Sequence, residues 1–317
     1  MSINKNFFHG ITFHHFHDNN KNLMSQGSLS RDYFYKILNK IGRNNILNAD
    51  EFFLRFKEHS LKENNICLTF DDALKCQYDV ALPILNELKI KCFFFIYTSV
   101  FEDDPDLLEL YRYFRTQNFK DIDNFYDIFF SNINESLDEF IYKKKKKIEL
   151  IKTTHPFYSY NDIKFRVVRN EFLNRDSYKK IMLKMFSDYN FEYRKYFKKI
   201  FMNSNDLIEI KESGHLIGLH SHTHPTKFNN LSYEDQINEY SLNQKNLSEM
   251  LDCKQSDIQY MSHPCGSYNS HTLEILEKIG IKLGFNNTIF VEKNKNMKKI
   301  NNSNLEIARI DSSNILR

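Results

Sequence analysis

The stretch Ile66-Cys67-Leu68-Thr69-Phe70-Asp71-Asp72 is a short apolar run that ends in two adjacent aspartates. Its length and composition are typical of a strand that is buried on both faces. A helical pattern over Asp79–Leu88 and a second core strand pattern over Lys91–Tyr97 follow it. A strand, a helix and a strand in close succession predict a βαβ unit with parallel strands, which places the chain in the α/β class.

The same alternation is found on both sides of a long interruption. The other predicted strands are Gly10–Phe16, His215–Leu219, Ile258–Ser262, Lys282–Phe285 and one near Leu305–Ile310. Further helices are predicted over Ser30–Ile41, with Ser30 as the N-cap, and over Asn205–Glu212, Tyr233–Leu251 and Ser270–Ile279. We therefore predict a β/α barrel-like domain over residues 1–317.

Residues 102–203 interrupt this domain with aromatic-rich helical patterns and no convincing strand. The candidate helices are Leu107–Phe114, Ile122–Phe130, Leu137–Ile151, Ser177–Tyr189 and Tyr193–Phe201. The segment is far longer than an ordinary β/α connection of about 2–6 residues, so a lid or acceptor-binding wall is one interpretation. A dimerisation surface or a stabilising cap is the other, which makes a homo-oligomer a possible assembly.

A second polar cluster, Gly218-Leu219-His220-Ser221-His222-Thr223-His224-Pro225, follows the strand predicted near residue 219. The carboxyl ends of parallel strands are where β/α folds place their sites. Two imidazoles four residues apart and one carboxylate are suited to hold a divalent cation, and a second carboxylate then remains to accept a proton from water. The structural alternatives are an N-capping aspartate and histidines that are satisfied by packing. His222 is expected to point elsewhere.

The third cluster is Ser262-His263-Pro264-Cys265-Gly266-Ser267-Tyr268-Asn269. A strand that ends in a loop containing Pro and Gly ahead of a helix predicts another loop facing the site. The alternative is a plain turn with Asn269 or Ser270 as N-cap. A nucleophilic role for Cys265 is poorly supported, because no base can be assigned to it.

These three clusters resemble the motifs of the polysaccharide deacetylase family. The members of this family are metal-dependent carbohydrate esterases that remove N-acetyl groups from glycans. Thr69-Phe70-Asp71-Asp72, His220 to Pro225 and His263 to Asn269 are similar to its first, second and third motifs. The resemblance covers roughly residues 10–98 and 205–311. It implies the family's irregular, distorted β/α barrel, with Asp71 as general base. It further implies metal ligation by Asp72, His220 and His224, and substrate binding by His263, Pro264, Cys265, Gly266 and Tyr268.

The chain departs from the family pattern at several positions. Ser262 stands where the third motif usually has an Arg that steadies the catalytic Asp, and Cys265 replaces an aromatic residue. No late Leu-x-His motif, which supplies the general acid, precedes Arg317. A branch of the family has a His on its first strand instead, and Phe13-His14 resembles its Tyr-His, so His14 is the candidate acid. Strand alternation predicts that His14 and Phe16 share a face. Arg309 resembles a late Arg of the same branch and is expected to orient Asp71.

Composition limits the class of partner. The net charge of +3 is too small to indicate nucleic acid. The five cysteines are odd in number and lack a paired spacing, which predicts reduced, buried thiols. No apolar segment is long enough to span a bilayer, and Met1–Gly10 shows no export signal, so we expect a cytoplasmic protein.

Together, the motifs and the resemblance predict hydrolysis of an N-acetyl group on an amino sugar with Zn²⁺ as the expected metal. The expected substrate is an N-acetylated glycan, or a lipid- or nucleotide-linked sugar precursor in surface-polysaccharide or lipopolysaccharide assembly. Two alternatives stay open. One is a deformylase or other amidohydrolase acting on a sugar or a small molecule. The other is a non-catalytic glycan-binding relative.

Overall fold

The computed structural model describes residues 9–18, 20–62, 64–102, 105–133, 135–154, 158–286 and 303–316. The chain divides into two compact units. We call Met1–Asp106 together with Lys198–Arg317 the barrel unit, and Leu107–Phe197 the helical unit. The bounds predicted for the insertion, 102–203, are a few residues wider than the helical unit at each end.

The described residues of the barrel unit contain a parallel sheet. Its strands are β1 (Gly10–Phe13), β2 (Cys67–Asp71), β3 (Phe93–Ile96), β4 (Leu216–Leu219), β5 (Tyr260–Ser262), β6 (Leu283–Phe285) and β7 (Arg309–Asp311). Their order in the sheet is β6-β5-β4-β3-β2-β1-β7. A parallel bridge between Phe285 and Ile307, two residues before β7, brings the two edges together. The sheet is therefore a nearly closed barrel, and the predicted distorted β/α barrel is confirmed.

The described residues of the two units contain α-helices as well. In chain order they are α1 (Arg31–Ile41), α2 (Ala49–Lys57), α3 (Leu82–Glu87), α4 (Leu108–Asn118), α5 (Ile122–Ser131), α6 (Asp138–Thr154), α7 (Tyr160–Val167), α8 (Arg175–Asp188), α9 (Phe197–Ile200), α10 (Ser204–Glu212), α11 (Tyr233–Met250) and α12 (Ser270–Lys278). Helix α1 begins where predicted because the Ser30 side chain accepts a hydrogen bond from Tyr33 N–H. Helices α2 and α7 are absent from the prediction. Among the described residues, no helix is long and apolar enough to cross a membrane.

Stacked aromatic rings explain why the strands are rich in Phe. Phe13, Phe70 and Phe94 occupy neighbouring strands, with ring centroids 5.2 Å and 4.8 Å apart, and Phe34 of α1 packs edge-on against Phe13. All four side chains are completely buried. Such pairs contribute about 0.5–1.5 kcal/mol each beyond their buried area. The phenylalanine stack faces α1, and successive residues of a strand face opposite sides. Thr69 and the residues two positions before and after it on β2 therefore face the barrel interior.

The first strand is shorter than predicted, and its side chains do not alternate as expected. Strand β1 ends at Phe13, and Phe16 returns to the core, where its ring stacks on that of Phe13 at 6.2 Å. The prediction that His14 and Phe16 share one face is therefore wrong. Residue 16 forms only an isolated bridge to Leu29. His14 therefore lies outside the sheet, at the carboxyl edge of the barrel.

The segment after Asp72 also differs from the single helix predicted over Asp79–Leu88. It begins with a π-helical turn, Gln77–Ala81, which continues into α3. Turns of this kind are rare and are often found at functional sites.

The helical unit has an aromatic core of its own. Phe114 and Phe186 are 4.9 Å apart, as are Phe129 and Phe165, and Phe191 packs against Phe186 at the same distance. These contacts join α4, α5, α7 and α8. They account for the aromatic excess in this part of the sequence as packing within the unit.

Candidate metal centre

Three side chains from two strand ends converge at the carboxyl edge of the barrel. Asp72 follows β2, and His220 and His224 lie on the loop that follows β4. One ligand atom from each lies within 4.8 Å of the other two. Asp72 Oδ1 is 3.3 Å from His220 Nε2 and 3.4 Å from His224 Nε2. Residues that are about 150 positions apart in the sequence therefore form one cluster.

The backbone is unusual at this cluster. Asp72, Ser221 and His224 have φ values of 81°, 62° and 52°, in the left-handed region that residues with a side chain seldom adopt. Such conformations cost about 1–3 kcal/mol each and persist where surrounding contacts enforce them. Here they turn the chain sharply, so that the side chains at positions 220 and 224 reach the same point.

Hydrogen bonds fix the orientation of His220. Its Nδ1 lies 2.8 Å from the Ser262 carbonyl oxygen, and its main-chain N–H donates to Asn243 Oδ1 at 3.0 Å. Because a carbonyl oxygen only accepts, Nδ1 carries the proton. In the neutral ring the lone pair is then on Nε2, which faces Asp72. This is the arrangement typical of a histidine that binds metal.

Glu239 of α11 holds the loop that carries both histidines. Its carboxylate accepts hydrogen bonds from the N–H groups of His222 and Thr223 at 2.9 Å and 2.8 Å, and from the Thr223 hydroxyl at 2.6 Å. The His222 side chain points away from the cluster, as predicted, and its Nδ1 lies 3.0 Å from Thr98 Oγ1. The loop is thus fixed from the side opposite to the candidate ligands.

The donor set fits a divalent cation. Asp72 Oδ1 is buried and has no hydrogen-bond partner among the residues that the structure describes. A buried carboxylate oxygen without a partner is costly, and here it faces two imidazole nitrogens. Two imidazoles and one carboxylate are a ligand set that zinc and similar ions use with further positions open. The residues present therefore match the metal that the family resemblance implies.

The charges of the cluster favour a bound cation. Although burial favours the neutral acid, the imidazoles of His220, His224 and His14 hold the pKa of Asp72 well below its usual value. Although burial disfavours the imidazolium, Asp71 and Asp72 raise the pKa of His220. Two carboxylates in a buried site attract positive charge, and a metal ion can replace the proton.

Asp71 is held by a fully buried arginine. Arg309 Nη1 and Nη2 donate to the two oxygens of Asp71 at 2.8 Å and 2.7 Å. The remaining donors of the guanidinium reach Thr69 Oγ1 at 2.9 Å, Ser262 Oγ at 2.7 Å and the Asn286 carbonyl oxygen at 3.0 Å. Burial acts to raise the pKa of Asp71, but the charge of Arg309 outweighs this effect. The pKa of Asp71 is therefore below its ordinary value, and the carboxyl group stays ionised.

The Ser262 hydroxyl completes this network. It donates to Asp71 Oδ2 at 3.2 Å while it accepts from Arg309. Position 262, where the usual motif has an Arg, therefore still contacts Asp71, and the guanidinium comes instead from the start of β7. Asp71 Oδ2 lies 4.0 Å from His220 Nε2, next to the candidate ligands.

His14 lies on the other side of Asp72. Its Nε2 is 3.9 Å from Asp72 Oδ2, and its side chain is partly exposed. The structure thus brings His14, Asp71 and the candidate ligands together at one edge of the barrel. The roles predicted for them remain predictions.

The residues of the loop after β5 differ in their exposure. His263 is fully buried, its Nε2 lies 2.8 Å from the Leu305 carbonyl oxygen, and its ring stacks on Tyr268 at 4.2 Å. Burial lowers the pKa of His263 to about 3, so its ring is neutral. The N–H groups of His263 and Gly266 already donate to main-chain carbonyls. Pro264 is buried as well, whereas Cys265 is exposed, with φ 52°. These contacts make His263 a support for the loop.

The cysteines are reduced thiols, as expected, but not all are buried. Cys67 and Cys92 are buried, Cys76 and Cys253 are partly buried, and Cys265 is exposed.

Sequence reasoning missed Gln77, Glu239 and Asn243. Each makes hydrogen bonds to main-chain groups of residues that carry the site. An amide or carboxylate on a helix has no local pattern that distinguishes such a role from a solvated position. The rare turn at Gln77–Ala81 has no sequence signature either.

The fold and the site together define a β/α-barrel protein with a candidate one-metal centre at the carboxyl ends of its strands. The chain belongs to the polysaccharide deacetylase family, whose model, described as polysaccharide deacetylase, matches residues 58–114 and 176–284, just over half of the chain. The matched segments contain both aspartates and both candidate histidine ligands. His14 and Arg309 lie outside them.

Solved structures with the same fold include bacterial deacetylases. The Streptococcus pyogenes deacetylase PplD in complex with acetate is 17% identical, with 98% of this chain and 96% of that chain covered and a TM-score of 0.54. IcaB from Ammonifex degensii is 14% identical, with 96% and 91% covered and a TM-score of 0.53. A de-N-acetylase from Aggregatibacter actinomycetemcomitans is 12% identical, with 96% and 95% covered and a TM-score of 0.52. No curated protein matches the chain in sequence.

Proposed function

We propose that this chain is a metal-dependent hydrolase that removes the N-acetyl group from an amino sugar of a glycan. The observation that carries the proposal is the convergence of Asp72, His220 and His224 beside an aspartate that is held by a buried arginine. Family membership supplies the reaction class. The donor set supports a divalent ion, and zinc is the proposed one.

The residues divide the chemistry between them. Asp72, His220 and His224 would hold the ion, which when bound polarises a carbonyl group and acidifies water. Asp71, kept ionised by Arg309, accepts the proton of the attacking water. His14 donates a proton to the departing amine nitrogen, a contribution of about 10²–10⁴-fold in rate. The amide C–N bond breaks, and the products are acetate and a free amino sugar.

The finer points are proposals that rest on the family resemblance. We propose that the amino sugar belongs to a surface polysaccharide or lipopolysaccharide, or to its lipid- or nucleotide-linked precursor. That Pro264, Cys265, Gly266 and Tyr268 contact this substrate is a proposal of the same kind. A cytoplasmic location and an oligomer formed through the helical unit stay predictions from the sequence.

Acetate release from N-acetylglucosamine oligomers by the zinc-loaded protein tests the proposal. We expect Asp72→Ala and His224→Ala to lose the metal, as measured by elemental analysis. Asp71→Asn should keep the metal and lose about 10²–10⁴-fold in turnover, because it removes the proton acceptor and leaves the ligands in place.

The contrary outcomes are distinct. Near-normal turnover of Asp71→Asn would show that another group is the base. Bound zinc without acetate release from any N-acetylated glycan would favour a glycan-binding relative. Release of formate from an N-formyl sugar in preference to acetate would favour a deformylase.

A further inference from the structure

Gln77 is a buried amide close to the site that the proposed chemistry does not use. It opens the π-helical turn Gln77–Ala81 and has no exposed surface. Its position five residues after Asp72 returns its side chain to the carboxyl ends of β1 and β2. A polar side chain at this depth needs partners, and those partners indicate its role.

Its side-chain amide bridges two main-chain carbonyls. Gln77 Nε2 donates to the His14 carbonyl oxygen at 2.9 Å and to the Asp71 carbonyl oxygen at 2.6 Å. Because both oxygens only accept, the amide must direct its NH₂ group at them, and both N–H bonds are then used. An ionised Glu has no donor to offer, and an Asn is one methylene shorter.

The two carbonyls belong to the position where β1 and β2 separate. The last register pair of these strands is Phe13 with Phe70. Residues 14 and 71 would form the next pair, but β1 ends there while β2 continues beside β3. The Gln77 amide thus joins the main chains of β1 and β2 one residue beyond their last paired residues.

The bridge contacts the main chain of the residue whose side chain lies beside Asp72. His14 is outside the sheet, and its Nε2 is 3.9 Å from Asp72 Oδ2. The carbonyl of His14 has a second, weaker neighbour in Cys76, whose Sγ is 4.0 Å away, and that sulfur also accepts from Phe16 N–H at 3.3 Å. The turn that follows the aspartate pair therefore holds the segment just after β1 at His14 and at Phe16.

We propose that Gln77 is a positioning residue that sets the proton donor His14 against the metal centre by tying its main chain to that of Asp71. The inference rests on the proposed function, because it needs His14 to act on the leaving amine. A displacement of about 1 Å at a catalytic group can cost about 10²-fold in rate.

The test compares two leaving groups. Gln77→Met keeps a side chain of similar length and removes both hydrogen bonds. We expect turnover of an N-acetylglucosamine oligomer to fall about 10²-fold with little change in KM, because the amine must be protonated as it leaves. Turnover of 4-nitrophenyl acetate, whose phenolate leaves without a proton, should stay near that of the wild type, and zinc content should not change.

Gln244→Met is the matched control. Gln244 is also buried, and its Nε2 also donates to main-chain carbonyls, those of Gln255 and Ile279 at 3.1 Å each and, more weakly, that of Ile258 at 3.5 Å. This variant should also lose stability, but it should keep turnover of both substrates. Should Gln77→Met fail to fold, Gln77→Asn provides the same comparison with a polar side chain that cannot reach the carbonyls.

A double variant separates positioning from a general structural effect. In a His14→Ala background, Gln77→Met should cause no further loss, since the group that it positions is gone. An additive loss, an equal loss on both substrates or full glycan turnover in Gln77→Met would each overturn the inference while leaving the proposed function standing.

If the wild type releases no acetate from any glycan, the proposed function fails first, and histidine ring NMR then decides the structural part. A shift of the His14 resonances in Gln77→Met, with those of the buried His263 unchanged, supports the bridge. Unchanged His14 resonances overturn it.

Discussion

Gly10 determines how closely the Arg309 side chain can pass along β1. The two residues pair in register, and a Cβ atom at position 10 would lie 2.7 Å from Arg309 Cγ and 3.2 Å from its Cδ. These atoms belong to the middle of a side chain whose five N–H donors are all hydrogen-bonded, so they cannot move freely. The absence of a side chain at Gly10 is what lets the guanidinium reach Asp71.

We therefore expect Gly10→Ala to reduce turnover by about 10–100-fold, because a shifted guanidinium no longer holds Asp71 in place. Steady-state kinetics on an N-acetylated glycan measures the loss, and zinc content should be unchanged. Gly280→Ala is the control, since a Cβ there has no neighbour within 4 Å. Its positive φ costs about 1–2 kcal/mol of strain, and turnover stays normal. Normal turnover of Gly10→Ala would show that the barrel interior adapts.

The candidate ligands were predictable from the sequence, whereas the residues that support them were not. The aspartate pair and His220 each follow an apolar run, and the carboxyl ends of parallel strands meet at one edge of the sheet. The packing of Arg309 against Gly10 follows from no local pattern, because it depends on which strands become neighbours. Family resemblance, not periodicity, pointed to that arginine.

At the scale of elements, α11 is attached to the loop that carries two candidate ligands. We expect Glu239→Leu to weaken zinc binding by about 10–100-fold, because the loop loses three hydrogen bonds that hold its strained backbone. A competing chelator measures the affinity. Glu249→Leu, on an exposed position of the same helix, should bind zinc as the wild type does. Equal affinities in the two variants would mean that the ligands are set by β4 alone.

His215, the residue before β4, leads us to expect that stability depends on pH. His215 is buried, and its Nδ1 accepts the Cys92 N–H at 3.0 Å. Burial and the charge of Lys91 lower the pKa of His215 from its ordinary value near 6.5 to about 4. As the pH falls below about 6.5, the His215 ring binds a proton in the unfolded protein but stays neutral in the folded protein. The free energy of unfolding therefore decreases, by about 3 kcal/mol in total near pH 4.

His215→Asn isolates this contribution. The Asn Oδ1 can accept the same N–H but does not titrate, so the variant should gain stability relative to the wild type as the pH falls from 7 to 4. Urea unfolding of both metal-free proteins, followed by circular dichroism, measures the difference. Parallel stability curves over this range would show that the His215 ring is accessible to protons in the folded state.

The first strand shows why element ends are harder to predict than element types. Alternation predicts a strand through Phe16, but β1 stops at Phe13, and the Phe16 ring packs against that of Phe13 instead. The single helix predicted after Asp72 likewise missed the π-helical turn. Tertiary contacts decide both, and both affect His14.

At the scale of the whole molecule, strand order could not be derived from the sequence. The alternation of strands and helices predicted a β/α barrel, and the structure and its relatives confirm it. The closing bridge between Phe285 and Ile307 joins residues on either side of a segment without a predicted element. The strand order places β7, and with it Arg309, next to β1. The closing bridge then brings the end of β6 to the residues just before β7.

The helical unit provides the last prediction. Its rings pack against one another across four helices, and Phe114, Phe129, Phe165 and Phe186 are almost completely buried. Domains of about 60 residues often fold alone, so residues 107–197 are long enough to do so. We expect this fragment to be helical and to unfold cooperatively on heating, as followed by circular dichroism.

Phe129→Ala should lower the stability of the fragment by about 3–5 kcal/mol, because the substitution leaves a cavity. Tyr142→Ala, at a position with 79% of its surface exposed, should have little effect. A fragment without a cooperative transition would show that these aromatic contacts need the barrel unit to form.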